Sequence, residues 1–267
     1  MERQNEIIQF IAEEYTAHHF IEPNNRHEAI KTYFEEAINT YQPEVIVKAG
    51  IGNPELNMEL INCCDSYVVI VDPNIDVLQR FKNDYLNSEL LDRVKLINGN
   101  FVDFPVDYYA AALLMSFDYL NLLDSAKVID EFRRALEFEA ILLLGMVVLH
   151  EDDMDGLYDE YNRKLFPLHT DYYMESEIKT VLDLNEFEFI KAEKTSFESN
   201  LQKKYNAISN HYSINKQELD AFISDNHEVF QQCYGIDKNR EVDKIVEPYF
   251  IGTFMRKMPA PEDRYEK

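Results

Sequence analysis

The chain has little positive charge, and this shortage excludes a class of partners. It contains 26 Lys and Arg against 50 Asp and Glu, which gives a formal net charge of −24. Nucleic acids and anionic membrane surfaces are held by clusters of Lys and Arg, and the sequence contains no such cluster. We therefore expect neither a nucleic acid nor a membrane as a direct partner.

Long apolar runs and paired cysteines are also lacking. The longest apolar stretch, residues 140–149, is too short to cross a bilayer, and residues 1–14 do not have the basic and apolar pattern of a signal peptide. The three cysteines, Cys63, Cys64 and Cys233, form no disulfide framework, because adjacent cysteines rarely bridge each other. Together these features predict a cytoplasmic protein with reduced thiols.

What the chain does contain is enough apolar sequence for one sizeable core, since 46% of its 267 residues are hydrophobic. Two helices are predicted over residues 1–42, the first on the spacing of Ile7, Ile8, Ile11 and Tyr15. Seven short apolar runs are then predicted as strands, at 45–49, 67–71, 94–97, 110–115, 140–148, 187–195 and 249–255. Most are continuously apolar and alternate with amphipathic helices, which is typical of a parallel sheet covered on both faces.

This pattern predicts an α/β fold, a doubly wound Rossmann-like sheet of seven mostly parallel strands with helices on both faces and a helical cap. We expect four parts: an N-terminal helical cap (1–42), the α/β core (43–196 plus 246–257), a helical insertion (197–245) and a loose tail (258–267). The insertion is expected to cover one end of the sheet.

Ligands of such folds bind beyond the carboxyl ends of the strands, and three of these ends carry informative residues. Gly50 and Gly52 follow the first strand, where glycine permits a tight turn and close approach of a ligand. Asp72 ends the second strand, where an acid can accept hydrogen bonds from a ribose, cap the next helix, or do both. Asn100 and Phe101 follow the third strand, as partners for a purine or as an ordinary turn with a buried ring.

Read in order, these pieces resemble class I S-adenosylmethionine-dependent methyltransferases. The order is strand, Gly-x-Gly, helix, then strand and Asp72, then a strand followed by Asn-Gly-Asn at 98–100. The run Glu131–Leu136 before an apolar strand is similar to the E-x-x-R-x-L motif of the family. Residues 174–189 are similar to its sixth strand and the helix before that strand. The resemblance covers residues 44–195 and 249–255.

The resemblance implies S-adenosylmethionine as cofactor, bound by Ala49, Gly50, Gly52, Asp72, Pro73, Asn100, Phe101, Met115 and Ser116. The two glycines would lie behind the methionine portion, and Asp72 would hold the ribose. Asn100 and Phe101 would contact the adenine, while Met115 and Ser116 would border the sulfonium. The chain departs from the family pattern at Lys48, Pro54, Asn100 and Glu139, which replace an acid, a glycine, an aspartate and a glycine. With only 7 glycines it is interpreted as a divergent member.

On the acceptor side, the cap and the segment 150–245 are rich in aromatic residues, which suits a small, partly apolar acceptor. Tyr119 and His150, just past the fourth and fifth strands, are the candidates for a general base, and a structural role is open for both. The acidic run after His150 has no metal-ligand spacing, so no metal is predicted.

Two functions remain open from the sequence. One is methyl transfer to a small molecule, by a monomer or homodimer. The alternative is a methyltransferase-like fold that binds a ligand or protein without catalysis, its cofactor site having degenerated. A third function, NAD-dependent oxidation, is disfavoured because the turn at Gly50 does not meet the G-x-G-x-x-G pattern.

Overall fold

The structure, a computed structural model, describes residues 24–121, 123–236 and 244–259. In chain order the elements are α1 (Asn24–Tyr41), β1 (Val45–Ala49), α2 (Pro54–Asn62), β2 (Tyr67–Asp72), α3 (Ile75–Tyr85), β3 (Val94–Asn98), β4 (Ala111–Phe117), α4 (Ser125–Ala135), β5 (Leu136–Val147), α5 (Leu157–Leu165), α6 (Glu175–Leu184), β6 (Phe187–Asn200), α7 (Leu201–Ser209), α8 (Lys216–Asp225), α9 (His227–Tyr234) and β7 (Lys244–Arg256). The first predicted helix and most of the predicted tail lie outside the described residues.

Seven strands of the described chain form one sheet in the order β3-β2-β1-β4-β5-β7-β6. The pairs among β1 to β5 are parallel, and β7 is antiparallel to both β5 and β6. The order reverses between β1 and β4, because the chain builds outward to β3 first and then returns to the other side of β1. The predicted doubly wound, mostly parallel sheet is confirmed.

The core lies on both faces of this sheet. On one face, residues of α1, α2 and α3 such as Phe34, Leu60 and Phe81 pack against the strands. On the other face, α4, α6 and the helices after β5 supply residues such as Phe132 and Tyr158. Because both faces are covered, the central strands are mostly apolar, which is why they were recognisable in the sequence.

The chain after β5 differs from the predicted pattern. Strands β6 and β7 are longer than predicted and extend into both ends of the segment 197–245, so this segment is helical only between them. Helix α5 arises in an acidic and aromatic segment for which no element was predicted. Among the described helices, none combines the length and the apolar character needed to cross a bilayer.

Candidate cofactor and acceptor site

The ends of β1, β2 and β4 bring the predicted site residues together. Ala49 is in register with Val71 of β2 and with Ser116 of β4. Gly50 therefore leaves the sheet between Asp72 on one side and the end of β4 on the other. This is the point where the strand order reverses, and ligands of doubly wound sheets bind at this point.

The turn after β1 depends on its two glycines. Gly50 has a φ of +82° and Gly52 a φ of +54°, in the left-handed region that side chains with a Cβ disfavour. The backbone N–H of Gly50 donates to the carbonyl of Val71 at 2.6 Å, and the Asn57 amide donates to the carbonyl of Ile51 at 2.6 Å. The turn is thus held from both sides by hydrogen bonds.

Pro54, which replaces the family's third glycine, has a structural reason. It is the first residue of α2, and Asn53 is the N-cap, accepting from the N–H groups of Glu55 at 2.8 Å and Leu56 at 3.2 Å. Proline suits the first helical position because no hydrogen bond is required of its nitrogen there. Helix α2 therefore has a complete N-terminal cap. The positive end of its dipole faces the turn.

Asp72 braces this turn. Its Oδ2 accepts from the N–H of Ile51 at 2.9 Å, and its Oδ1 accepts from the N–H of Asn74 at 2.8 Å. Burial raises the pKa of Asp72, while these two hydrogen bonds and the charge of Lys48 act in the opposite direction. The interpretation of Asp72 as a helix N-cap is wrong, because the N-cap of α3 is Asn74.

Lys48 lies beneath the same turn, with 5% of its surface exposed. Its Nζ donates to the carbonyl of Gly50 at 2.5 Å and to the carbonyl of Ile51 at 2.9 Å. A buried ammonium group is stable only when it is hydrogen-bonded or paired, and here the turn carbonyls supply that. The positive charge sits where methyltransferases of this class usually carry an acid.

Tyr119 lies against Gly50. A Cβ added to Gly50 would overlap the hydroxyl end of the Tyr119 ring, so this ring fills the space in front of the glycine. The ring also meets Phe101 edge-on, with 4.6 Å between the centroids, and both residues are buried. The candidate base Tyr119 and the candidate adenine contact Phe101 are therefore neighbours.

The other predicted cofactor residues also lie at the carboxyl ends of the strands. Asn100 Oδ1 accepts from the N–H of Val102 at 3.1 Å and shapes a turn, and the carbonyl of Pro73 accepts from the Asn98 amide at 2.8 Å. Met115 and Ser116 have no exposed surface. The Ser116 hydroxyl is buried and has no hydrogen-bond partner in the part of the chain that the structure describes.

His150 follows β5, also at the carboxyl side of the sheet. Its Nδ1 accepts from the N–H of Asp152 at 3.2 Å and lies 3.6 Å from the Asp152 carboxylate. The side chain is about one-third exposed. His150 is thus open to solvent, whereas Tyr119 is enclosed.

Asp118 is a site residue that the sequence reasoning missed. It follows β4 directly, with a φ of +68°, and its N–H donates to the carbonyl of Gly145 at 2.7 Å. Its carboxylate forms an ion pair with Arg26 of α1, whose guanidinium lies 4.6 Å from the ring centroid of Tyr249. An acid directly after a strand was the available signal, but its partner Arg26 is too distant in sequence to be predicted.

The end of the sheet at Gly50 and Asp72 has features that suit the cofactor that the resemblance implies. The left-handed glycine turn, the carboxylate beside it and the unpaired Ser116 hydroxyl fit a nucleoside ligand. Each Asp72 oxygen accepts one N–H and keeps a lone pair for a further donor. The residues present therefore fit the cofactor, with the Tyr119 ring as the group that would have to turn aside.

No family model and no curated protein matches the chain, but solved structures do. A Bacillus halodurans protein assigned as a methyltransferase is 16% identical, with a TM-score of 0.67 over 80% of this chain and 93% of that one. Geranyl diphosphate C-methyltransferase from Streptomyces coelicolor is 13% identical, with a TM-score of 0.54 over 86% and 80%. The cyclase SpnF is 12% identical, with a TM-score of 0.56 over 86% and 82%. The chain has the class I methyltransferase fold, as the resemblance implied.

Proposed function

We propose that the chain binds S-adenosylmethionine across the tips of β1 and β2 and transfers its methyl group to a small-molecule acceptor. The observation that carries this proposal is the left-handed glycine turn braced by Asp72 at the switch point of a methyltransferase fold. The Streptomyces enzyme of the same fold contains S-adenosyl-L-homocysteine, which supports the choice of cofactor.

Asp72 would bind the ribose, because its two oxygens lie at the carboxyl end of β2 and each retains an acceptor position. Gly50 and Gly52 would lie behind the methionine portion, where no Cβ obstructs it. Asn100 and Phe101 would contact the adenine. The cofactor supplies a methyl carbon activated by the neighbouring sulfonium charge.

Lys48 changes how the methionine portion is held. Its ammonium group already donates to the carbonyls of Gly50 and Ile51, so these oxygens have less capacity for the cofactor's ammonium. The positive charge beneath the turn and the positive end of α2 both attract a carboxylate. In this proposal the methionine carboxylate, rather than its ammonium, faces the turn.

The protein's task at the acceptor is to align it, to exclude water and to accept a proton. Tyr119 and His150 are the two candidates for the proton acceptor, and they differ in setting. Tyr119 is enclosed beside Gly50, whereas His150 is open to solvent and has its Nδ1 hydrogen-bonded to a backbone N–H. An acceptor that enters from solvent would meet His150 first.

The alternative, a module that binds a ligand or protein without catalysis, has its own support. Lys48 occupies the turn carbonyls and Tyr119 fills the space over Gly50. SpnF, a cyclase by name, has a similar structure, so this fold alone does not determine the reaction. Cofactor binding separates the two functions.

The test is calorimetric titration of the full chain with S-adenosylmethionine and with S-adenosylhomocysteine. We expect saturable binding, and Asp72→Ala should weaken it at least about tenfold because the ribose loses its hydrogen-bond acceptor. Asp76→Ala, in the first turn of α3, is the control and should bind as the wild type does. Circular dichroism would establish that both variants fold.

Absence of binding at millimolar cofactor would reject methyl transfer and leave the binding module. Equal affinity of Asp72→Ala and the wild type would reject the placement of the ribose while keeping the cofactor.

A further inference from the structure

A pair of cysteines lines a cavity at the end of the sheet opposite to Gly50. Cys63 and Cys64 follow the last residue of α2 and precede β2. With Glu44 and Asp65 they line a cavity of about 570 Å³. Glu44 directly precedes β1. The cavity therefore lies at the amino ends of β1 and β2, away from the proposed cofactor site at their carboxyl ends.

The two thiols converge on one atom. The Sγ atoms of Cys63 and Cys64 both donate to the carbonyl oxygen of Leu60, at 3.2 Å and 3.3 Å. Cys63 is exposed and Cys64 is half-buried, so a small solute in the cavity reaches both sulfurs. The sulfurs therefore form one accessible dithiol.

The backbone spacing disfavours a disulfide between them. Adjacent Cα atoms across a trans peptide are about 3.8 Å apart, and no cis peptide occurs in the described chain. Disulfides usually join Cα atoms at least about 4.4 Å apart. Two sulfurs that are close but poorly placed to bond to each other are suited to share a third atom.

The chemistry of the surroundings selects that atom. Among the described residues, no group of three or more His, Cys, Asp or Glu side chains is placed to hold a metal ion, whereas zinc is almost always held by at least three protein ligands. Thiolates select soft ions, copper(I) among them, and copper(I) is satisfied by two sulfur ligands. Glu44 and Asp65 at the cavity, and the net charge of −24, attract a cation.

We propose that Cys63 and Cys64 form a two-sulfur binding site for a copper(I) ion. The ion forms two Cu–S bonds, the two S–H bonds break, and both protons pass to solvent. Copper and sulfur keep their oxidation states, so no oxidant or reductant takes part. This site is independent of the proposed cofactor site and of the proposed methyl transfer.

The test uses the reduced full-length protein under nitrogen, titrated with copper(I) in competition with bicinchoninate. We expect one copper per chain and a loss of affinity of at least about tenfold in both Cys63→Ser and Cys64→Ser. Cys233→Ser is the matched control, since Cys233 is buried elsewhere in the core, and it should bind copper as the wild type does. Circular dichroism confirms that each variant folds.

Copper K-edge absorption adds a second measurement, and two sulfur neighbours are expected. The proposal is overturned if bicinchoninate retains all the copper, if either serine variant binds as tightly as the wild type, or if nitrogen and oxygen neighbours predominate. Cofactor titration of the same variants should be unchanged, so its outcome does not depend on this site.

Discussion

At the scale of single residues, the positions that depart from the methyltransferase pattern have local structural roles. Pro54 starts α2 behind the N-cap Asn53. Lys48 closes the carbonyls of the turn from below. Glu139, which stands where the family has glycine, adopts a φ of +64°, a conformation that costs a residue with a Cβ about 1–2 kcal/mol. Glu139 thus adopts the left-handed backbone that glycine favours without being a glycine.

Gly50→Ala tests the turn directly. The substitution places a Cβ at a φ of +82° and against the Tyr119 ring, so we expect the free energy of unfolding to fall by about 2 kcal/mol. Cofactor affinity should fall by at least about tenfold, because the methyl group occupies the ligand's side of the turn. Urea denaturation and calorimetric titration measure the two effects.

Gly156→Ala is the matched control for this substitution. Gly156 has a similar φ of +67°, but an added Cβ would lie 3.9 Å from Leu149, an ordinary contact. We expect about 1 kcal/mol of destabilisation and unchanged cofactor affinity. Unchanged affinity in Gly50→Ala as well would contradict the placement of the cofactor over Gly50.

At the scale of elements, the long antiparallel pair β6 and β7 is joined to helices α5 and α7 through a buried carboxylate. Glu247 of β7 accepts hydrogen bonds from Tyr158 of α5 and Lys204 of α7, each at 2.5 Å, and from Ser199 of β6. Burial acts to raise the pKa of Glu247, but Lys204 and the two hydroxyl donors outweigh it, so this pKa is lowered. A buried charge with this many partners holds four elements, β7, α5, α7 and β6, in one arrangement.

Glu247→Gln should lower the free energy of unfolding by about 3 kcal/mol at pH 7, since Lys204 then lacks its charged partner. A carboxyl whose folded-state pKa is depressed contributes stability above its unfolded pKa, near 4.5, and loses it as the pH falls through the folded value. The difference between wild type and variant should therefore shrink below about pH 4.5. Urea denaturation at pH 7, 5 and 3 measures it.

Glu198→Gln is the matched control on the neighbouring strand. Glu198 pairs with Lys244 at 2.8 Å, but both side chains are exposed, and exposed pairs contribute about 0–1 kcal/mol. We expect little effect at any pH. A Glu247→Gln difference that stays constant from pH 7 to pH 3 would show that its charge is not what stabilises the fold.

At the scale of the whole molecule, the dominant property is the net charge of −24. Self-repulsion of this size destabilises the compact state, and salt screens it. Raising the sodium chloride concentration from about 20 to about 300 mM should screen this repulsion. We expect the Tm to rise by about 2–4 °C, the shift that about 1 kcal/mol produces in a domain of this size. Potassium chloride should act equally, and a Tm that is level or falls with salt would contradict the argument.

The strands and helices of the central sheet were predictable because each is short, regular and buried on a recognisable face. The predicted bounds of β1 agree with the structure, and those of β2 and β3 differ only at their last residues. Prediction was poorer after β5. Helix α5 lies in an acidic and aromatic segment for which no helix was predicted. Strands β6 and β7 remain paired with each other beyond their predicted ends.

The amino-acid sequence by itself determined the fold class and the strand ends at which Gly50, Asp72 and Ser116 lie. The reason is that apolar runs in strands and glycines in the turns after them are local properties of the sequence. Only the tertiary structure decided that Lys48 donates to the turn, that Tyr119 fills the space over Gly50 and that Arg26 pairs with Asp118. These contacts join residues whose side-chain directions depend on how strands and helices pack. Packing is a property of the whole chain, so no local pattern encodes it.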